Sequence, residues 1–359
     1  MDCCPGTEST AVSTPDTAYA RLPTMSRRVL LKGGLGAAGA LALAACGIGG
    51  RGGGELVPLQ LAFCSQLLCV VPYEVTRERG YFEEEGFDVE LVYSQGGGAA
   101  LQALVAGGVD YAATSFDAFV GAYSGGGEIR RFASTGRLPL FALATAPDTA
   151  DEITELQDLL GRTVAVSALG NAEHTLLLYL LAEAGLDADE VEFATMGTNI
   201  YDALRVGQVD AGMVQEPALT LLQSDGGRVI ANLMDIDDAE ALLGGAYEFM
   251  GVAVRTDEID ERTEEMQGLA RALAKGLEAT RTAPVDELID ALPSELIVGE
   301  DREDLAATLD AYRESLYPSG VDIDTDAVDR AMASLETAGV LEEPLQIDEL
   351  LDLETVGAT

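Results

Sequence analysis

Five polar segments follow stretches that are predicted to be strands, and they carry the side chains best suited to binding a small molecule. They are residues 64–66, 94–96, 114–117, 167–171 and 215–217. Their hydroxyls, amides and glycines offer neutral hydrogen bonds, and several precede helices, whose first N–H groups attract anions. In open α/β sheets, ligands bind beyond the carboxyl ends of the strands. We therefore predict that a ligand contacts Ser65, Gln66, Gln95, Thr114, Ser115, Phe116, Asp117, Ser167, Gly170, Asn171, His174, Asn199 and Glu216.

Several of these residues also have a purely structural explanation. Ser65, Thr114 and Ser167 are typical helix N-cap residues, and capping is compatible with ligand contact. Asp117 and Glu216 can each accept hydrogen bonds from an amine or an aminopyrimidine, or can form an ordinary ion pair. The residues alone leave both interpretations open.

The residue types do not predict a metal site or a cofactor site. His174 is the only histidine, and no Cys-x-x-Cys pair occurs, so no metal site is predicted and a packed or capping histidine is the simpler interpretation. Cys64 and Cys69 form either a disulfide or two buried thiols. Arg137 lies between two apolar stretches, where a solvated or salt-bridged arginine is favoured over one that binds an anionic ligand. We expect no cofactor.

A repeated phrase organises the chain around these loops. Leu-x-x-Gly-x-Val-Asp occurs at residues 104–110 and again at 204–210, one hundred residues apart. The flanking pieces also recur in the same order, so the chain is predicted to consist of two similar α/β halves that enclose a cleft. Asp110 and Asp210, the repeated acids, are expected to hold turn geometry rather than to touch ligand.

Composition restricts the partners. The chain has 359 residues, 48% of them hydrophobic, which is enough for two domains with cores. Its formal net charge of −41 excludes nucleic acid, because phosphate binding needs a basic surface. An acidic, lysine-poor composition is typical of a high-salt habitat or of a GC-rich genome, and the composition does not separate the two.

The N-terminal segment resembles an export signal. Residues 26–32, Ser-Arg-Arg-Val-Leu-Leu-Lys, are similar to a twin-arginine motif, and the apolar stretch 33–45 is too short to span a bilayer. Leu43-Ala44-Ala45-Cys46 resembles a lipobox, in which the peptide is cut before a cysteine that carries lipid. The alternative is an ordinary signal with an incidental Cys46. Independently of that choice, Met25 is a candidate for the true start, because residues 1–24 precede the signal.

Alternating strand and helix patterns predict parallel α/β sheets. An acidic stretch after Pro147 marks the crossing into the second half, and the apolar strand 249–254 marks the return. The predicted divisions are a leader and signal (1–45), a flexible tether (46–56), domain 1 (57–147 with 247–345), domain 2 (148–246) and a C-terminal tail (346–359).

The order of elements over residues 57–345 resembles the solute-binding proteins of ABC importers, in particular the group that serves nitrate, sulfonates, taurine and thiamine-pyrimidine precursors. The resemblance rests on residues 72–90, 101–110, 159–166 and 207–217. It implies an α/β fold of the two-domain, periplasmic-binding-protein-like type II, with a ligand cleft between the domains.

The resemblance implies an exported, periplasmic or cell-surface, monomeric protein that is lipid-anchored through Cys46. It would capture a small sulfonate-, nitrate- or taurine-like solute by hinge closure and present it to an ABC permease in the membrane. An aminopyrimidine or a related heterocycle is the second solute class. A pyrimidine-forming enzyme and an extracellular sensor are the further alternatives. The fungal enzyme of this group uses a Lys–pyridoxal adduct, whereas Lys32 and Lys275 lie outside the cleft loops, so we expect no enzyme.

Overall fold

Strands and helices alternate along most of the part of the chain that the computed structural model describes, residues 55–64, 67–297, 301–341 and 345–356. The described residues form one compact unit. The predicted export signal, Cys46 and most of the tether lie outside the described residues, as do Ser65 and Gln66.

The strands within the described residues are short, and all of them belong to one of two sheets. They are β1 (Val57–Cys64), β2 (Phe87–Ser94), β3 (Tyr111–Ser115), β4 (Ile129–Gly136), β5 (Ala142–Thr145), β6 (Thr163–Val166), β7 (Glu192–Thr195), β8 (Ala211–Val214), β9 (Val229–Asn232) and β10 (Met250–Arg255).

The α-helices lie between the strands and, after β10, in a C-terminal helical region. They are α1 (Leu67–Glu78), α2 (Tyr81–Glu84), α3 (Gly97–Val105), α4 (Phe116–Ser124), α5 (Ala172–Glu183), α6 (Ile200–Arg205), α7 (Ala218–Ser224), α8 (Ile236–Leu243), α9 (Ile259–Thr282), α10 (Val285–Ala291), α11 (Arg302–Leu316), α12 (Thr325–Thr337) and α13 (Ile347–Leu350).

Two five-stranded sheets define two lobes. The strand order is β2-β1-β3-β10-β4 in lobe 1 and β7-β6-β8-β5-β9 in lobe 2. The sheets are mixed, because β10 runs antiparallel to β3 and β4, and β5 runs antiparallel to β8 and β9. The prediction of parallel sheets is therefore wrong for one strand in each lobe.

The antiparallel direction of β5 and of β10 has the same cause. Met250, at the start of β10, pairs with Gly136, at the end of β4; Ala142, at the start of β5, pairs with Asn232, at the end of β9. Each begins at the edge where its neighbours end, because the chain arrives there directly from the other lobe. A parallel strand would need a crossover connection back to the opposite edge.

The crossings between the lobes are residues 137–141 and 246–249, and they run beside each other. Tyr247 N donates to Arg137 O at 2.8 Å, and Phe249 N donates to Gly136 O at 3.1 Å. Since β5 pairs within lobe 2, the chain leaves the first sheet before residue 142, ahead of the predicted boundary at 147.

The repeated phrase has the same structural role in both lobes. Asp110 Oδ2 accepts from Gln60 N, and Asp210 Oδ2 accepts from Thr163 N, each at 2.8 Å. Both carboxylates thus tie the turn before a strand to the neighbouring strand. The expectation that these acids hold turn geometry is confirmed, and the repeat is scaffold.

The described part of the predicted C-terminal tail packs on lobe 1, whereas α12 contacts α5 of lobe 2 as well as α4 of lobe 1. Asp352 N donates to Arg131 O at 2.8 Å, and Leu351 forms a bridge with the same residue, so the described part of the predicted tail lies against β4. Among the described residues, no helix combines the length and the apolar character needed to cross a membrane.

Helix α9 approaches α1 closely at Gly276. A Cβ added there would lie 1.7 Å from Thr76 Oγ1 and 3.0 Å from Pro72 O. We expect Gly276→Ala to lower the free energy of unfolding by about 2 kcal/mol, since the overlap outweighs the roughly 1 kcal/mol gained in helix propensity. Urea denaturation measures this.

The matched control is Glu278→Ala on the exposed side of the same helix, which should change the free energy of unfolding by less than about 0.5 kcal/mol. A Gly276→Ala protein as stable as the wild type would show that the two helices can separate without cost.

Candidate ligand-binding site

A cavity of about 500 Å³ lies between the lobes at the carboxyl ends of their strands. Lobe 1 contributes Ser115, Asp117 and residues 95–99, whereas lobe 2 contributes Ser167 and residues 170–173. A smaller cavity of about 270 Å³ enters lobe 2 and shares Ser167 and Glu173 with the first. We call the two together the cleft.

Seven of the predicted contacts line the cleft. Ser115 caps α4 by accepting from Ala118 N at 3.5 Å, so capping and cleft lining coincide at this residue. The seven are Gln95, Ser115, Asp117, Ser167, Gly170, Asn171 and Glu216.

Asp117, in the first turn of α4, is the most unusual of them. Both of its carboxylate oxygens are buried and have no hydrogen-bond partner in any other described residue. Burial raises the pKa of Asp117 from 3.8 to about 6, which exceeds the opposite effects of its own backbone N–H and of Arg131. Nearby Glu173 raises the pKa further. A buried carboxylate without partners is costly to stability, and such groups cluster at functional sites.

Glu173 faces the cleft from lobe 2, and its role was not predicted from the sequence. Its Oε1 accepts from Ser167 N at 2.9 Å and also from Ser167 Oγ. Asn171 Nδ2 donates to Ser167 Oγ at 2.7 Å, which closes a small network over the start of α5. The available signal was an acid in the first turn of a helix that follows a Gly-Asn loop.

Glu216 and Gln215 line the smaller cavity. Glu216 is buried, and it accepts from Thr220 N at 3.1 Å and Thr220 Oγ1 at 3.2 Å. The side-chain nitrogen Nε2 of Gln215 is buried and has no hydrogen-bond partner among the described residues. Gln215, like Glu173, was not among the predicted contacts, although it directly precedes one.

Thr114 and Phe116 pack behind the cleft. Both are fully buried, and Phe116 lies under the guanidinium of Arg131, 5.2 Å from the ring centroid. Arg131 Nη2 donates to Thr114 O at 2.7 Å, while Nη1 donates to Glu248 Oε1 at 2.8 Å. These two predicted contacts therefore position the Ser115–Asp117 loop and belong to the wall beneath it.

His174 and Asn199 support the cleft loops of lobe 2. Gly170 N donates to His174 Nδ1 at 3.1 Å, and the imidazole packs edge-on against Phe193. Burial lowers the pKa of His174, which favours the neutral form that can accept this bond. Asn199 precedes α6, next to Gly197 and the other residues of the smaller cavity.

Arg137 and the two cysteines have structural positions. Arg137 donates to the carbonyls of Ser315 and Glu314, at 2.9 and 2.7 Å, at the end of α11. Cys64 and Cys69 are buried thiols, and Cys69 Sγ lies 3.7 Å from Met250 Sδ, so the thiol alternative is the one observed.

The charge of the cleft is negative. Asp117, Glu173 and Glu216 line it, and no arginine or lysine is present among the described residues that line either cavity. No group of acidic, cysteine and histidine side chains suited to a metal ion occurs in the described part of the chain.

The chain is similar to one protein-family model and to many solved structures. The family model described as NMT1/THI5 like matches residues 70–287, whereas no curated protein matches. A protein from Bordetella bronchiseptica RB50 has a TM-score of 0.71 at 24% identity, over 85% of this chain and 97% of that one.

Two further solved structures show the same fold. The periplasmic aliphatic sulphonate binding protein SsuA from Escherichia coli has a TM-score of 0.66 at 17% identity, over 82% of this chain and 91% of its own. A Candida albicans protein described as having the generic periplasmic binding protein fold has a TM-score of 0.64 at 18% identity, over 83% and 97%. The chain belongs to the NMT1/THI5-like family and has the two-lobed fold of periplasmic binding proteins.

Proposed function

We propose that this protein is the extracytoplasmic solute-binding component of an ABC importer. The observation that carries the proposal is the cavity of about 500 Å³ at the carboxyl ends of both sheets, lined by polar groups from both lobes. Family membership, and structural neighbours that include a periplasmic sulphonate-binding protein, support it. The export motif and Cys46 support lipid anchoring outside the cytoplasm, and a membrane permease would be the partner.

The capture mechanism we propose is hinge closure. Within the described residues the chain crosses between the two sheets at 137–141 and at 246–249, and these crossings are hydrogen-bonded to each other. A small rotation about this pair would bring Ser167 and Glu173 of lobe 2 towards Asp117 of lobe 1. Solute that bridges the lobes would stabilise the closed form, which the permease would recognise.

The sequence analysis named two solute classes, and an observation supports each of them. The sulphonate-binding neighbour favours a sulfonate-, nitrate- or taurine-like solute. The cleft carboxylates Asp117 and Glu216 favour an aminopyrimidine or another nitrogen heterocycle. The enzyme alternative would need a lysine in the cleft. Lys275, the lysine within the described residues, lies on α9 and is ion-paired with Glu84 and Glu85 at 3.0 and 3.1 Å.

A thermal-shift screen tests the proposed function. The panel contains nitrate, taurine, alkanesulfonates, bicarbonate, primary amines and aminopyrimidines. A solute at 100 times its Kd should stabilise the protein by roughly 2.7 kcal/mol. A melting temperature that no member of the panel raises would argue against a solute-binding cleft.

Ser167→Trp should abolish solute binding and leave the fold intact. Ser167 lines both cavities at the meeting of the lobes, so an indole there fills the cleft and blocks closure. Calorimetric titration with the solute found in the screen measures the loss, and circular dichroism checks the fold. The control is Ser224→Trp at the exposed end of α7, which should bind normally. Unchanged affinity in Ser167→Trp would remove this loop from the site.

A further inference from the structure

We propose that the cleft selects solutes that carry a cationic nitrogen with N–H groups, a primary ammonium or an amidinium, and that this group binds the carboxylate of Asp117. The inference rests on the proposed function and names the chemical class of its solute. It excludes nitrate and simple alkanesulfonates, which have no such group.

The carboxylate of Asp117 lacks a hydrogen-bond partner elsewhere in the described part of the chain. Both oxygens of Asp117 are buried without a partner in another described residue, and the residue lines the cavity. A charged N–H donor is the partner that compensates a buried carboxylate most strongly. An anion placed at the same position would add a second negative charge in a site of low dielectric constant.

Among the other described residues, none donates a hydrogen bond to either carboxylate oxygen of Asp117. Arg131 lies behind Asp117, but its Nη1 donates to Glu248 Oε1 at 2.8 Å and to Phe249 O at 3.2 Å. Its Nη2 donates to Thr114 O at 2.7 Å. These terminal guanidinium groups are therefore committed to Glu248 and to two backbone carbonyls. The remaining N–H, at Arg131 Nε, is buried and makes no hydrogen bond to Asp117, whose carboxylate lines the cavity.

The side chains around the site carry negative charge. Glu173 faces the same cavity from the other lobe, and Glu216 lines the adjoining one, so closure around a solute brings carboxylates to it from both sides. The described lining residues include no arginine or lysine that would compensate a bound anion. The net charge of −41 also attracts cations towards the cleft at moderate ionic strength.

The smaller cavity adds a requirement at the other end of the solute. Gln215 Nε2 is a buried donor without a partner among the described residues. An oxygen acceptor on the solute, such as a hydroxyl, carbonyl or sulfonate oxygen, would satisfy it. The preferred solute thus carries an N–H cation at one end and an oxygen acceptor at the other.

Three probes on the same two-carbon frame test this selection: ethanesulfonate, taurine and ethanolamine. Ethanesulfonate has only the anion, taurine has the anion and an ammonium group, and ethanolamine has an ammonium group and a hydroxyl. We expect calorimetric titration to show binding of ethanolamine and taurine, and ethanesulfonate to bind at least tenfold more weakly than either. Agmatine and benzylamine extend the set to larger cations.

Asp117→Asn removes the charge and keeps the shape. It should weaken binding of the ammonium probes about 30-fold or more, since a buried charge pair loses one partner. The control is Asp88→Asn on the exposed side of β2, which should leave affinity unchanged. Because Asp117 has no hydrogen bond to another described residue, its substitution should not disturb folding, which circular dichroism verifies.

The outcomes separate the inference from the proposed function. Ethanesulfonate or nitrate binding as tightly as the amines, or amine affinity that survives Asp117→Asn, would overturn the inference alone. The same holds if the amines fail while any anionic or neutral solute of the wider panel binds. If no solute of any class binds, the proposed function falls and the inference falls with it.

Discussion

Replacing Arg131 with methionine is expected to lower the free energy of unfolding by about 3–5 kcal/mol, because it leaves a buried charge uncompensated. Arg131 and Glu248 form an ion pair at 2.8 Å with side-chain exposures of 0% and 2%. Methionine fills much of the arginine volume, so the loss reflects charge and hydrogen bonds more than packing. Urea denaturation at neutral pH measures the change.

The loss has a second component at the cleft. Arg131 also donates to the carbonyl of Thr114, at the end of β3 just before Asp117, and to the carbonyl of Phe249 in the return crossing. Both carbonyls would lose this donor in the variant. We therefore expect weaker solute binding in Arg131→Met even below the temperature at which it unfolds.

A double variant supplies the control. Adding Glu248→Gln to Arg131→Met removes the uncompensated charge and keeps an acceptor for Ser134 Oγ, which donates to Glu248 Oε2 at 2.9 Å. The double variant should be more stable than Arg131→Met alone. If instead the single variant loses less than about 1 kcal/mol, the pair does not stabilise this crossing of the two lobes.

Asp117→Asn is expected to make the solute-free protein more stable at pH 7.5, by about 3 kcal/mol. The folded pKa of Asp117 is raised to about 6 from 3.8. Between these values the folded state holds a proton that the unfolded state has released, so the wild type loses stability as pH rises. Above pH 6 the ionised carboxylate exerts its full cost, whereas below about pH 4 both states are protonated and the cost vanishes.

Unfolding at pH 4.5, 5.5 and 7.5 tests this dependence. The stability advantage of Asp117→Asn over the wild type should grow from pH 4.5 to about pH 6 and then remain constant. The titratable and charged groups that interact with Asp117 are Arg131, Glu173 and Tyr247. The exposed substitution Asp88→Asn should show no such trend. A constant difference between Asp117→Asn and the wild type at all three values would mean that water reaches the carboxylate.

Together with the binding experiment, this result would show that the Asp117 carboxylate lowers the stability of the protein and is kept because it binds solute. The same carboxylate would destabilise the empty cleft and bind the solute, which is the trade-off typical of binding sites. It also implies that a cationic solute binds less tightly as pH falls below about 6, because protonated Asp117 loses its charge.

Local patterns in the sequence were sufficient to locate the cleft. Strand-like stretches that end in polar loops predicted that Ser115, Asp117, Ser167 and Asn171 meet, because the carboxyl ends of parallel neighbours share one edge. The repeated phrase predicted two similar lobes, and Asp110 and Asp210 have the turn role expected of them. These inferences succeed because they depend on spacing within one or two elements.

The tertiary structure alone decided how strands pair and which polar groups remain without partners. β5 and β10 have the same short apolar pattern as the neighbouring strands, so the sequence does not reveal their direction. Their antiparallel direction follows from where the chain enters each sheet. Likewise, Glu173 and Asp117 are both acids in the first turn of a helix. Ser167 N donates to Glu173, whereas neither oxygen of Asp117 has a hydrogen-bond partner in another described residue, and the terminal donors of nearby Arg131 are engaged elsewhere. Sequence thus determined where polar groups gather, and packing between distant segments determined which carboxylate remained without a hydrogen-bond partner among the described residues.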